Sequence, residues 1–292
     1  MMENRHTKFT EDKTSLSPVV TGIVILAACQ ILAFFLAFRE KAFLESEQIT
    51  PPQITAELPL IYFFGTVAVI GLVLLLVPQR VLRMVSKLLF AFLLAWGTFI
   101  AVGLSLPLPA AAVASAIVAS LYLLIPKIWL HNLLMVIALA SIATVFGVLF
   151  TPWTVIVFVL VISAYDILAV RFGYMMWMVR RLSVSDILPA FVIPRTIVGW
   201  NLSLSAVRLS DEEAEKQFSL LGGGDVAFPL LLIVSVFFAH GFAGSVVVAW
   251  FALLGLGAAY WVQRKLLKGK PTPALPPISL LSIMGFLVIY FT

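Results

Sequence analysis

WTVIVFVLVISAYDILAVRF, residues 153–172, is the stretch that decides the fold of this chain. It carries one acid in its interior, Asp166, and one basic residue at its border, Arg171. At about 1.5 Å of rise per residue, roughly 20 residues of helix cross the hydrocarbon core of a bilayer. The stretch therefore reads as a transmembrane helix with a misplaced carboxylate.

Further runs of the same kind lie on both sides. They cover 17–38, 58–78, 84–105, 108–126 and 131–150 before it, and 221–240, 242–262 and 274–291 after it. The expectation is an all-α polytopic membrane protein with about nine transmembrane helices. A cytoplasmic tail (1–16) precedes helices one to six (17–172), a cytoplasmic loop (173–220) and helices seven to nine (221–292). The first run is too long, and its leader too mixed in charge, for a cleaved secretory signal.

Composition agrees. Of 292 residues 62% are hydrophobic and 11% charged, and the mean hydropathy is +1.10. Soluble domains carry about 45–50% apolar and about 25% charged residues. A soluble enzyme, a disordered chain and a nucleic-acid binder are excluded. The net charge of +5 resides in loops and forms no basic face. A single cysteine, Cys29, makes an intrachain disulfide impossible.

Basic residues collect on the cytoplasmic side of a membrane. With the N-terminus inside and the C-terminus outside, 17 of the 19 lysines and arginines fall inside. Only Arg39 and Lys41 fall outside. This expectation fixes the loop 173–220 as cytoplasmic and supports an odd number of spans.

Two of the 14 carboxylates lie within apolar runs, Asp166 and Asp225. A charge at mid-membrane costs at least about 2.5–3.5 kcal/mol and marks function by default. No lysine, arginine or histidine stands at matching depth in those two runs. Asp166 lies about 9 Å and Asp225 about 6 Å inward from the same face, on helices of opposite direction. Two carboxylates in contact share a proton. One then acts as base on a water while the other donates to a carbonyl oxygen, chemistry that needs neither metal nor cofactor. The alternative is an ion channel or proton-coupled transporter using the same acids; a scaffold without chemistry leaves them unexplained.

Two further features lie at that depth. Gly222-Gly223-Gly224 precedes Asp225. Glycines weaken a helix by about 1 kcal/mol each, and they admit a second backbone, such as an unwound substrate. Pro271-Thr272-Pro273-Ala274-Leu275-Pro276-Pro277 resists regular helix at the start of the ninth run. Irregular backbone at membrane depth is tolerated where protein buries it or it lines a cavity. Tyr165, beside Asp166, either orients a carboxyl or packs.

Together Tyr165-Asp166, the G-x-G-D of Gly222-Gly223-Gly224-Asp225, and Pro273-Ala274-Leu275-Pro276 resemble the three signature motifs of presenilins and signal peptide peptidases. Their order and span numbers match over essentially the whole chain, and the size and short loops resemble a prokaryotic, archaeal-type presenilin-like homologue. The resemblance implies a presenilin-like fold and hydrolysis of peptide bonds within transmembrane segments of other membrane proteins. It implies Asp166 and Asp225 as the catalytic pair. Tyr165, Gly222, Gly223, Gly224, Pro273, Ala274, Leu275 and Pro276 would line the substrate. The N-in orientation resembles presenilin and is opposite to signal peptide peptidase. The motif is usually written with Leu between its glycines, where this chain has Gly223. Type IV prepilin peptidases also carry G-x-G-D, but Val226-Ala227-Phe228 lacks the basic residue expected after their aspartate.

The expected setting is a multi-pass protein of the cell membrane. Its partners are the lipid bilayer and substrate transmembrane segments, with no nucleic acid, and a homo-oligomer is left open. Residues 172–188 alternate apolar and basic and read as a short helix along the membrane face. Residues 208–219 read as solvated.

Overall fold

The structure, a computed structural model, describes residues 17–173, 188–207, 217–265 and 273–292. The tail 1–16 lies outside the described residues. So do the surface helix expected over 172–188 and the solvated stretch 208–219, apart from their ends.

Long apolar segments become helices because a backbone in lipid must bond to itself. Six helices come first: α1 (Pro18–Ser46), α2 (Glu57–Leu76), α3 (Gln79–Gly103), α4 (Leu108–Leu124), α5 (Ile128–Leu149) and α6 (Pro152–Arg171). A continuous run, Gly223–Lys265, then breaks at Gly241, whose φ of 79° belongs to the left-handed region. A side chain there would be strained, and the glycine folds the run back on itself as α7 (223–240) and α8 (242–265). The last helix is α9 (Leu275–Phe291). Prolines mark the starts: Pro18 and Pro152 open α1 and α6, and Pro78 and Pro107 stand just before α3 and α4. Proline's fixed φ suits the first turn, where its missing N–H is no loss.

The chain is an all-α polytopic membrane protein. Pro18–Ser46, Arg80–Gly103, Ile128–Leu149, Pro152–Ala169 and Gly223–Lys265 are long and apolar enough to cross a membrane. Glu57–Val73, Leu108–Leu124 and Leu275–Phe291 are shorter apolar helices. The expected runs thus correspond to nine helical arms among the described residues. The first is longer than expected, ending at Ser46 rather than at residue 38.

α7 is the axis of the bundle. Its residues Leu230, Leu231, Leu232, Ile233, Val234, Ser235, Val236 and Phe237 are all buried, against α1, α5, α6 and α9. α2 stands at the other extreme, with no buried side chain among those described.

The region 173–220, expected as a loop, contains regular structure. β1 (Ala190–Pro194) and β2 (Phe218–Gly222) form an antiparallel pair in the register Ala190↔Gly222 to Pro194↔Phe218. Two short 3-10 turns, Val198–Asn201 and Leu204–Ala206, lie between them. The seventh run therefore starts two residues later than read from sequence. Leu221 and Gly222 are strand, and helix begins at Gly223.

Candidate active site

Asp166 lies on α6, in its last two turns, and Asp225 lies in the first turn of α7. Both line one cavity of ≈ 310 Å³. Of the other residues singled out in the sequence, Tyr165, Gly222, Gly223, Gly224, Pro273, Ala274 and Leu275 line the same cavity. Pro276 does not; it is the second residue of α9.

Local structure explains how each acid is held. The Asp225 carboxylate accepts a hydrogen bond from the Gly222 backbone N–H. A Cβ on Gly222 would come within 2.7 Å of Asp225 Oδ2, so the close approach requires glycine. The next glycine is packed as tightly: a Cβ on Gly223 would lie 3.0 Å from Pro189 O, and Gly223 N donates to that carbonyl at 3.0 Å. The glycines thus join strand to helix without a linker while keeping the acid against the strand's end.

Asp166 is held by the proline segment. Its carboxylate accepts a hydrogen bond from the Leu275 backbone. Leu275 opens α9 and is followed by Pro276 and Pro277, which have no N–H. The first N–H groups of a helix have no partner inside it. The prolines leave Leu275 as the donor of that turn, and Asp166 takes it. The other oxygen, Asp166 Oδ2, is buried and has no hydrogen-bond partner among the described residues. A second tie, Ser163 Oγ to Ser279 Oγ at 3.2 Å, fixes α6 against α9 one turn away.

Sequence reasoning missed part of the wall. Phe63 of α2 lines the cavity and packs edge-on against Tyr165 and Phe228, with ring centroids 6.0 and 6.5 Å apart. Tyr260 and Gln263 of α8 also line it, as do Ala190 of β1 and Leu220 of β2. Tyr260 and Gln263 lie three apart on one helix face, a spacing visible in the sequence but without a signal that this face looks inward. Asp166 and Asp225 are close enough to interact electrostatically. Among the described residues, no cluster of histidine, cysteine, aspartate and glutamate has the makings of a metal site.

Known proteins resemble this chain. The family described as signal-peptide peptidase, presenilin aspartyl protease matches residues 22–292. A solved presenilin-family intramembrane aspartate protease in the P2 space group superposes with a TM-score of 0.62 at 22% identity, covering 94% of this chain and 98% of that one. The C222 form gives a TM-score of 0.59 at 22% identity, covering 93% and 96%. At that identity the likeness establishes a shared fold. Curated protein sequences gave no match.

Proposed function

This chain belongs to the signal-peptide peptidase and presenilin aspartyl protease family, and from that membership we propose that Asp166 and Asp225 cleave transmembrane segments of other membrane proteins. The setting is the cell membrane, crossed several times with the N-terminus inside. The observation that carries the reading is the shared cavity. Two acids on different helices line it, each with one backbone N–H as its anchor.

One aspartate is ionised and takes a proton from a water, whose oxygen attacks the substrate carbonyl carbon. The other, protonated, donates to the carbonyl oxygen as charge develops there. The tetrahedral intermediate collapses as its C–N bond breaks: the leaving nitrogen takes the proton held by the first carboxyl, and the hydroxyl that becomes the new carbonyl returns its proton to the second carboxylate. The products are one carboxyl end and one amine end, and both aspartates return to their starting states. The unpartnered Asp166 Oδ2 supports a role for that atom toward water or substrate.

A transmembrane helix hides its peptide bonds, so the substrate must be extended to be cut. The edge of β2 that faces away from β1 carries no strand among the described residues. Leu220, Leu221 and Gly222 of β2 line the cavity beside Asp225. An extended substrate adding to that edge gains main-chain hydrogen bonds, in the manner of β-strand addition. The proline segment and the Phe63 face form the remaining walls.

The test is direct. Purified protein with a single-span peptide substrate is followed by mass spectrometry for wild type, Asp166→Ala and Asp225→Ala. Cleavage within the apolar segment, lost in both folded variants, is the expected result. Equal cleavage by either variant, or ion flux without cleavage, would overturn the reading.

A further inference from the structure

The outer edge of β1 is already taken. Asn132 Nδ2 donates to Val192 O at 2.7 Å, and Val192 N donates to Asn132 Oδ1 at 3.0 Å. Two residues earlier on the strand, His131 Nε2 lies 2.9 Å from Ala190 O. A carbonyl only accepts, so this nitrogen carries the proton. Both side chains are buried, at 0% and 4% exposure, and the His131 ring stacks on Phe90 at 5.6 Å.

In an antiparallel pair, alternate residues turn their main-chain groups to the same side. Ala190 and Val192 are such alternates, so two neighbouring side chains at the start of α5 stand where a third strand would pair. The same alternation runs across the register. Val192 faces Leu220 and Ala190 faces Gly222. The main-chain groups of Leu220 and Gly222 therefore turn to the opposite side, away from β1. On that side Gly222 donates to Asp225. Leu220 presents its N–H and C=O two residues from the bond that holds the acid.

The grip of α5 extends further. Ile128 N donates to Leu202 O at 3.1 Å, and Leu204 N donates to Pro126 O at 2.8 Å. The connection that carries β1 is thus docked on the first turns of α5 at several points, and β1 is the fixed side of the sheet.

We propose that His131 and Asn132 are positioning residues for proteolysis: they close the outer edge of β1, direct the substrate strand to β2, and set its register against Asp225. The inference rests on the strand-addition reading given above. Neither residue touches substrate. Each acts through β1, which holds β2 by its ladder.

The experiment uses the full chain, with cleavage positions mapped by mass spectrometry and kcat, KM and thermal unfolding measured together. In folded His131→Leu and Asn132→Leu proteins, cleavage at the principal bond is expected to fall by about 10- to 100-fold, the scale of a small misplacement at reacting atoms. Products are expected to spread to neighbouring bonds. His131→Gln keeps a donor and is expected to keep the wild-type product pattern. A loss of stability alone lowers the amount of active protein without moving the cut. Folded leucine variants that cut at the wild-type bond, with kcat/KM within about twofold, would overturn the proposal. Should Asn132→Leu fail to fold, His131→Leu against His131→Gln decides by the same criterion. A substrate N-methylated at successive backbone amides separates the two levels. Wild-type cleavage that ignores every N-methyl group removes strand addition itself, and the inference with it. Sensitivity to N-methylation combined with an unmoved cut in the variants removes only the roles of His131 and Asn132.

Discussion

α2 and α7 are both apolar helices, and the protein treats them in opposite ways. Eight consecutive residues of α7, from Leu230 to Phe237, are buried. None of the described side chains of α2 is, and Leu72 and Leu75 are 55% and 63% exposed. In water such a difference would be written in polarity. In lipid the tails are as apolar as leucine, so burial is decided by packing and by small or polar groups. Both helices have such groups, Gly223, Asp225 and Ser235 in α7 and Gly65, Thr66 and Gly71 in α2, but only those of α7 are packed: a Cβ on Gly223 would lie 3.0 Å from Pro189 O, whereas one on Gly65 would meet nothing within 4 Å. Phe63 reaches Phe158, Tyr165 and Phe228 with edge-on contacts. Apolarity thus says which segments cross; it does not say which of them make the core.

Substitutions along the two helices probe this difference. The largest effect is expected for Ile233→Ala, fully buried in α7, at about 2–5 kcal/mol of lost stability, read from denaturant unfolding in detergent. Retained stability would mean that α7 is not the axis described. Gly222→Ala comes next. The new methyl meets the Asp225 carboxylate, and activity should fall about 10- to 100-fold with unfolding nearly unchanged. An active, well-folded Gly222→Ala protein would show that Asp225 has room to move. Phe63→Ala removes the contacts of α2 to Phe158, Tyr165 and Phe228, each worth about 0.5–1.5 kcal/mol beyond area burial, and leaves that of Phe64 to Tyr165. Backbone amides of α2 should exchange faster while those of α7 stay protected, and equal exchange in both helices would contradict the picture of α2 as the loosely held member. The smallest effect belongs to Leu72→Ala, expected within about 0.5 kcal/mol of wild type. A larger loss would reveal a neighbour covering α2 in the membrane.

Much of this was legible in the sequence because the bilayer imposes its own length scale. Apolar runs and prolines marked the helices, and the cost of a charge in lipid singled out Asp166 and Asp225. Glycines and prolines near the same depth led to three segments that line one cavity. What was not legible is the part that depends on distant pairing. FSLLG and AFVIP are short apolar runs, and such runs are ambiguous between helix and strand. Leu221 and Gly222 fall within the apolar run 221–240, which reads as one span. Their strand state comes from Phe191 and Ala190, some 30 residues away. Pro276 is expected from sequence in the wall, yet its effect is indirect: lacking an N–H, it leaves Leu275 as the donor that Asp166 uses. Phe63, Tyr260 and Gln263 escaped because an aromatic or amide residue in an apolar helix does not announce which way it faces.

The junction between β2 and α7 has a mechanical consequence. Strand ends at Gly222 and helix begins at Gly223, with no residue between them. Asp225 hangs from the same Gly222 amide that ends the strand. On the proposed reading, whatever grips β2 also pulls on the acid, because the chain has no slack in which to absorb the motion. Holding and cutting are then a single lever, and a segment that fails to draw β2 taut leaves the blade out of line.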